Sequence, residues 1–328
     1  MPVIQVDQIV RNDPSRSRLR HDKQYENGVA FVNGTYCPLS EASVPLLDVG
    51  FVSCDATYEK VTVAKGKYFR LQDHFDRFNR SCTKFRLSSL YSNQQIQEIL
   101  DRLLQLGGLK EAGVFWCLTR GLAKPGVNAA ADRNKPDAFV GRLYAFADHY
   151  LSVATPEQRT RGLDLMVSKT YIRIAPRAVD PTAKNFHWMD MKLSLFEAGD
   201  HGKDWSVLTD QNGYVTEAPG ANIFIVKNGE LHTPESGCLE GVTRQATLEL
   251  AEFLQLRVHL RKIHSDELLT ADDAFLTSSA GGIMPVNSID GVILGGVPGP
   301  GEIATRVHNL YWEKMWDGWG CTPVNYRE

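Results

Sequence analysis

The chain has 328 residues, 36 basic and 39 acidic side chains, a net charge of −3, and hydrophobic and charged fractions of 43% and 23%. That balance leaves no electrostatic footprint for nucleic acid or an anionic membrane, and the length supports a sizeable core without staples. No apolar run approaches a membrane span, and the polar start Met1–Pro14 lacks the apolar centre of a signal peptide, so the cytoplasm is the expected compartment.

Residues 1–28 are polar and charged and read as an N-terminal arm. From Val29 the pattern turns to short strands, with Asn33-Gly34 marking a tight hairpin and Lys65-Gly66 a second. Leu71–Phe85 reads as a helix. Ser92–Leu106 reads as another, with Ile96, Ile99, Leu100, Leu103 and Leu104 on one face. Val114–Gly121 has the composition of a buried strand ending in a glycine turn. The Pro/Gly/Asn-rich loop 121–136 has the length and make-up of a lid. A strand follows at Ala138–Ala147, then a polar linker at 148–156. Beyond it come a strand from Leu163, a helix from Met189, a meander from Trp205 to His232, and a helix near Thr243. A mixed segment runs from Val258 to Pro285, and a helix from Glu302 closes the chain. Strands and helices interleave with several hairpins, which favours an α+β fold over a doubly wound parallel sheet. The expected domains are a small one at 29–147 and a larger one at 157–328.

Four constellations carry chemistry. Lys184 stands among Phe186, Trp188 and Met189, which partly bury it, and a lysine amine can hold an aldehyde cofactor as a Schiff base. Glu217 precedes Ala218-Pro219-Gly220-Ala221, small residues that let a flat ring approach the backbone, and its carboxylate suits a protonated ring nitrogen. Gly241 opens a helix whose free N–H groups, beside the Thr243 hydroxyl, suit a phosphate; an ordinary helix cap is the plainer reading. The turn Thr277–Pro285 offers a second anion nest. Arg70, His74 and Arg77 lie at helix spacings, and Arg77 can clamp a phosphate; a charged helix face is the common alternative. The cysteines at 37, 54, 82, 117, 238 and 321 form no C-x-x-C pair and no zinc spacing, so they read as reduced and structural, with no metal site expected.

In chain order the motifs are F-R-L-x-D-H-x-x-R, P-T-x-K-N, T-E-x-x-G-x-N-I, G-V-T-R and A-G-G-I-M-P. Together they resemble the fold-type IV family of pyridoxal-phosphate enzymes, from about Phe31 to Val324. That family includes branched-chain and D-amino-acid aminotransferases, aminodeoxychorismate lyases and (R)-selective amine transaminases. The resemblance implies a small N-terminal α/β sandwich, a larger C-terminal pseudo-barrel domain and a homodimer. It makes Lys184 the Schiff-base lysine and Glu217 the partner of the pyridine nitrogen. Arg77, the backbone N–H groups of Val242 and Thr243, and Ser279 become the phosphate cradle, and Trp188 a wall near the cofactor. The substrate pocket is expected to draw on Ser53, Tyr58, Lys60, Phe115, Arg133, Ser278 and Ala280.

K-N-F-H-W and S-S-A-G-G-I-M-P look most like the (R)-amine transaminases. The chain departs from them at Ser53, where histidine is usual, at Lys60, where an apolar residue is expected, and at Phe115, where a glutamate often stands. The lid lacks the usual arginine, for which Arg133 or Lys124 can substitute. Alternation puts Tyr58 and Lys60 on one strand face, and a cation there favours a carboxylate-bearing substrate. The expected reaction is ping-pong transfer of an amino group from an (R)-amine or amino acid to a keto acid such as pyruvate. The alternatives are a branched-chain or D-amino-acid aminotransferase and a lyase of the same fold.

Overall fold

A computed structural model of the chain describes residues 2–4, 19 and 21–326. Residues 1, 5–18 and 20 of the expected arm lie outside the described residues. The protein forms two compact units. The N-terminal unit comprises residues 19, 21–151, Ala183–Phe186 and 318–326, and the C-terminal unit comprises residues 2–4, Ser152–Thr182 and His187–Asp317.

The N-terminal unit opens with β1 (Val29–Val32) and β2 (Thr35–Pro38), then α1 (Val49–Ser53), β3 (Ala56–Ala64) and β4 (Lys67–Phe69). Next come α2 (Leu71–Phe85), α3 (Asn93–Leu106), β5 (Ala112–Ala123) and β6 (Phe139–His149). The C-terminal unit contributes α4 (Pro156–Arg161), β7 (Leu163–Val167), α5 (Met189–Asp200), β8 (Trp205–Val207), β9 (Asn222–Lys227) and β10 (Glu230–Pro234). It continues with α6 (Val242–Phe253), β11 (Val258–Arg261), β12 (Asp273–Ser278), β13 (Gly282–Ile289), β14 (Val292–Ile293) and α7 (Glu302–Asp317). The helix from Glu302 does not close the chain: β15 (Cys321–Pro323) follows it and pairs antiparallel with β4.

Local chemistry sets many of these boundaries. At both expected hairpins the two turn residues adopt positive φ, 53° and 83° at Asn33 and Gly34, 51° and 70° at Lys65 and Gly66. That backbone twist matches the strands it joins. The Ser92 side chain accepts from the Gln95 N–H while Gln95 caps in return, and this capping box starts α3.

The seven strands of the N-terminal unit run in the order β15-β4-β3-β5-β6-β1-β2, every neighbouring pair antiparallel. Alternation sends Val61, Val63, Val114, Trp116, Ala145 and Ala147 into one core with the apolar faces of α2 and α3. The alternate residues Tyr58, Lys60, Phe115 and Phe146 occupy the other face.

In the C-terminal unit the order is β11-β10-β9-β12-β13-β7-β8, a mixed sheet with parallel pairs β10/β11, β7/β13 and β7/β8. The expected meander holds for β9 and β10, joined by the Asn228-Gly229 turn. It fails for β8, which pairs with β7 at the far edge of the sheet. This α+β architecture with two sheets agrees with the expected fold class. Among the described residues no helix is long and apolar enough to cross a membrane.

Candidate active site

Lys184 is held by its backbone. Its N–H donates to the Ser81 hydroxyl at 3.1 Å, and its carbonyl accepts from the Thr57 hydroxyl at 2.6 Å. Both hydroxyl residues are fully buried, Thr57 on β3 and Ser81 on α2. Thr57 and Asn185 also form an isolated antiparallel bridge. The peptide is therefore pinned while the side chain stays half-buried, its amine 4.3 Å from the centre of the Tyr58 ring. Tyr58 in turn stacks on Phe115 at 5.4 Å and contacts Phe186 at 4.6 Å. An ammonium over an aromatic face in such company is attracted by the ring quadrupole. The structure thus brings together Lys184, Tyr58 and Phe115, with Lys60 directly opposite Phe115 in the strand register.

The other face of β3 carries Glu59, a residue that sequence reading does not single out. It is fully buried, and its carboxylate accepts from Arg77 Nε at 2.8 Å and Nη2 at 2.6 Å, with His74 Nδ1 at 2.7 Å. Burial alone would raise its pKa, but Arg77 and His74 outweigh that and hold it at about 2. Burial also lowers the His74 pKa, against the pull of Glu59. Arg77, read from sequence either as a phosphate clamp or as part of a charged face, is buried with its guanidinium oriented by this carboxylate. The signal in the sequence is the helical spacing of His74 and Arg77 combined with an acid on a strand. Strand alternation, read for the face of Tyr58 and Lys60, leaves that acid on the opposite side.

In the C-terminal unit Glu217 is buried and bonded at both oxygens. Oε1 accepts from Arg173 Nε at 2.9 Å, and Oε2 accepts from the Leu239 N–H at 3.1 Å. Arg173 is itself buried, and its Nη1 reaches Asp190 Oδ2 at 2.7 Å. Burial would lower the Arg173 pKa, yet Glu217 and Asp190 raise it overall. Sequence reading anticipates neither Arg173 nor Asp190.

Among the small residues after Glu217, Gly220 lies close to a ring of the protein itself. Gly220 has φ +73°, and a Cβ there would lie 2.9 Å from the tip of the Trp188 indole. Trp188 is the cap residue of α5 and is half-buried.

Gly241 is the N-cap of α6, as the plainer reading has it, and no side chain bonds to the helix start. A Cβ on Gly241 would lie 2.1 Å from Asn222 Oδ1, while Asn222 Nδ2 donates to the Leu239 carbonyl at 2.8 Å. Leu239 therefore ties Glu217 through its N–H and Asn222 through its carbonyl, and Asn222 packs on Gly241. One loop thus couples the buried carboxylate to the open helix terminus at Val242 and Thr243, both buried. Opposite Asn222 in the register lies Thr277, whose buried hydroxyl has no hydrogen-bond partner among the described residues. An uncapped helix start and an orphaned hydroxyl are what a phosphate-binding site would leave open.

Ser278, Ser279 and Ala280 lie at and beyond the end of β12, in the turn to β13, where the Ser278 hydroxyl accepts from the Ala280 N–H at 3.2 Å. Two expected pocket residues are less engaged. Ser53 is exposed at the end of α1 and its hydroxyl donates to the Val49 carbonyl at 3.0 Å; Arg133 is exposed in the long loop. All six cysteines are free. Glu230, His232 and His259 cluster on β10 and β11, but the two imidazoles lie nearly parallel, 15° apart, so their lone pairs do not converge. Arg261 donates to His232 and Arg257 pairs with Glu230.

The family model for amino-transferase class IV matches residues 56–289. The chain is 27% identical over 268 residues to a putative branched-chain-amino-acid aminotransferase of Methanocaldococcus jannaschii, covering 80% of this chain and 88% of that protein. It is 31% identical over 258 residues to the branched-chain-amino-acid aminotransferase of Escherichia coli (strain K12), covering 77% of this chain and 81% of that one. A crystal structure of the T.th. branched-chain amino acid aminotransferase with pyridoxamine 5'-phosphate matches with a TM-score of 0.81 at 26% identity, covering 92% of this chain and 100% of that one.

Proposed function

Because the chain belongs to the class IV aminotransferases, we propose that it transfers the amino group of a branched-chain amino acid to a 2-oxo acid. It is a pyridoxal-phosphate enzyme. The relatives and solved structures bear branched-chain names, which favours the amino-acid reading over the (R)-amine one. The observation that carries the catalytic assignment is Lys184: its peptide is clamped by two buried hydroxyls while its amine stays free over Tyr58.

Pyridoxal phosphate, when bound, supplies the electron sink that lets an α-proton leave as a proton. Lys184 would hold its aldehyde, and the Lys184 amine would take a proton from the substrate and return it, as general base and then acid. Glu217, oriented by Arg173 and Leu239, would keep a proton at the pyridine nitrogen. The Val242 and Thr243 N–H groups, Ser279 and Arg77 would hold its phosphate, Arg77 being aimed by Glu59. Trp188 forms a wall. Tyr58 and Phe115 line the side on which the substrate lies, and the 121–136 loop excludes water.

Borohydride reduction of the purified holoenzyme followed by peptide mapping tests the assignment. A pyridoxyl adduct on Lys184 is expected, and an adduct on another lysine would overturn it. For the substrate, L-leucine, D-alanine and (R)-1-phenylethylamine are compared as donors with 2-oxo acid acceptors. L-Leucine is expected to be fastest; faster turnover of the amine would restore the other reading, and pyruvate formed without any acceptor would favour a lyase.

We also propose a homodimer. Val44, Leu46, Leu47, Phe51 and Val52 are exposed in one stretch around α1, Leu47 at 80%. A contiguous apolar segment of this kind marks an interaction surface, unlike scattered apolar residues. Light scattering should give twice the chain mass, and Leu47→Glu should shift the protein toward a single chain.

A further inference from the structure

Lys60 carries a charge that its surroundings answer only in part. It lies on β3 two positions from Tyr58, roughly 6.6 Å along the strand, on the sheet face to which the Lys184 amine is held. The side chain is half-buried. Its stem crosses the space left open by Gly113, where an added Cβ would sit 3.6 Å from Lys60 Cε. Among the described residues no carboxylate comes within ion-pair distance of its ammonium. Asp148 is the acid that acts on it, with the row of Gly113 and Asp148 next along the sheet, yet the Asp148 carboxylate is bonded to the His149 N–H. Burial, followed by the like charge of Lys184, lowers the Lys60 pKa, and Asp148 only partly compensates.

Long charged side chains usually reach water or a partner. Lys60 does neither fully, and a second ammonium lies on the same face. Phe115 and Phe146 stand beside it in the register, and Tyr58 flanks Phe115. In so apolar a setting a partly desolvated cation gains far more from an anion than it would in water.

We propose that Lys60 binds a carboxylate of the substrate and so selects carboxylate-bearing donors and acceptors over simple amines and ketones. This deepens the aminotransferase reading and rests on it, since the anion is taken to be the substrate's own.

The experiment uses holoenzyme of the wild type, Lys60→Met and Lys60→Arg. Calorimetry measures binding of two unreactive probes, propionate with one carboxylate and glutarate with two. Borohydride mapping in parallel records cofactor loading at Lys184. In Lys60→Met the affinity for propionate should fall by about 10-fold or more, the loss expected for one charge-assisted contact, and Lys60→Arg should restore most of it. The KM for pyruvate should rise with kcat largely kept, while turnover of acetophenone, which has no carboxylate, should change less than about 2-fold. Weakening confined to glutarate would support the proposal and assign the contact to a distal carboxylate. Unchanged affinity for both probes would overturn it. Should Lys60→Met fail to fold, Lys60→Gln replaces it with the same expectation. A wild type lacking the Lys184 adduct would instead sink the aminotransferase reading, an outcome the probe affinities do not touch.

Discussion

Each unit buries a glutamate against an arginine, but the two clusters carry different charge. In the N-terminal unit one acid, Glu59, serves Arg77 and His74, so the acid and the arginine cancel and the histidine, its pKa lowered, adds little. Two ammonium groups, Lys184 and Lys60, then leave that unit's functional face positive. In the C-terminal unit one arginine, Arg173, serves two acids, Glu217 and Asp190, leaving a net negative charge. A positive face calls for anions and a negative cluster for a cation. On the proposed reading a substrate carboxylate answers the first and a protonated ring nitrogen the second. The comparison teaches that the same residue pair can either aim a cation or hold an anion ready, according to which partner is in excess.

The largest expected effect removes the nucleophile of the proposed reaction. Lys184→Ala, assayed with saturating pyridoxal phosphate, should lose turnover on the order of 10⁴-fold. Residual activity above about one per cent of wild type would show that the positive face works without its nucleophile.

Next come the arginines themselves. Arg173→Met takes the cation from buried Glu217 and from half-buried Asp190 together and should cost about 4 kcal/mol, within the range for breaking a buried ion pair. Arg77→Met strands only Glu59, which His74 still contacts at 2.7 Å and can neutralise by taking up a proton, so about 3 kcal/mol is expected. Urea denaturation measures both. Equal losses would mean that the charge excess in the C-terminal cluster is already relieved elsewhere.

How much of this is visible in the sequence depends on how far apart the partners lie. Asn33-Gly34 and the Ser92 capping box act within a few residues, so the hairpin and α3 are legible. Lys184 and Glu217 stand out through their immediate neighbours. Thr57 and Ser81, which clamp the lysine, sit 127 and 103 positions away from it, and Arg173 is 44 positions from Glu217. No local pattern marks such partners. The same holds for β8, whose place beside β7 is set by sheet order, and for β15, which returns to β4 after the last helix. Gly220 is legible as a residue allowing close approach, but that Trp188 packs against it is not, because Trp188 is 32 positions back.

The pH dependence of stability separates one buried acid of each unit by sign. Glu59 has a folded pKa of about 2 against an ordinary 4.5. The folded state binds fewer protons across that window, so this contribution is complete above about 4.5 and is lost as the pH falls toward 2. At about 1.4 kcal/mol per unit it is on the order of 3 kcal/mol. Asp273 in the C-terminal unit behaves oppositely. Burial, offset only in part by the N–H groups of Ala304 and Ala274, lifts its pKa from 3.8 to about 6. Its contribution is present at low pH and is lost as the pH rises through that interval. Denaturation curves from about pH 2 to 7 should show Glu59→Gln flattening the acid limb and Asp273→Asn flattening the limb between about 4 and 6. If either substitution left its limb unchanged, that acid would not be the one titrating.

The smallest effect probes the clamp on Lys184. Thr57→Val keeps the shape and β propensity of the side chain but withdraws the hydroxyl from the Lys184 carbonyl. The cost in stability should be about 1–2 kcal/mol, that of leaving one buried acceptor unpaired. Because Ser81 still holds the other side of the peptide, the lysine should remain in place but less well aimed. The expected result is a several-fold fall in kcat with KM for the 2-oxo acid unchanged, since on the proposed reading the Thr57 hydroxyl acts through the Lys184 peptide. A rise in KM without loss of kcat would place Thr57 on the substrate instead, and would shift the orienting role to Ser81 alone.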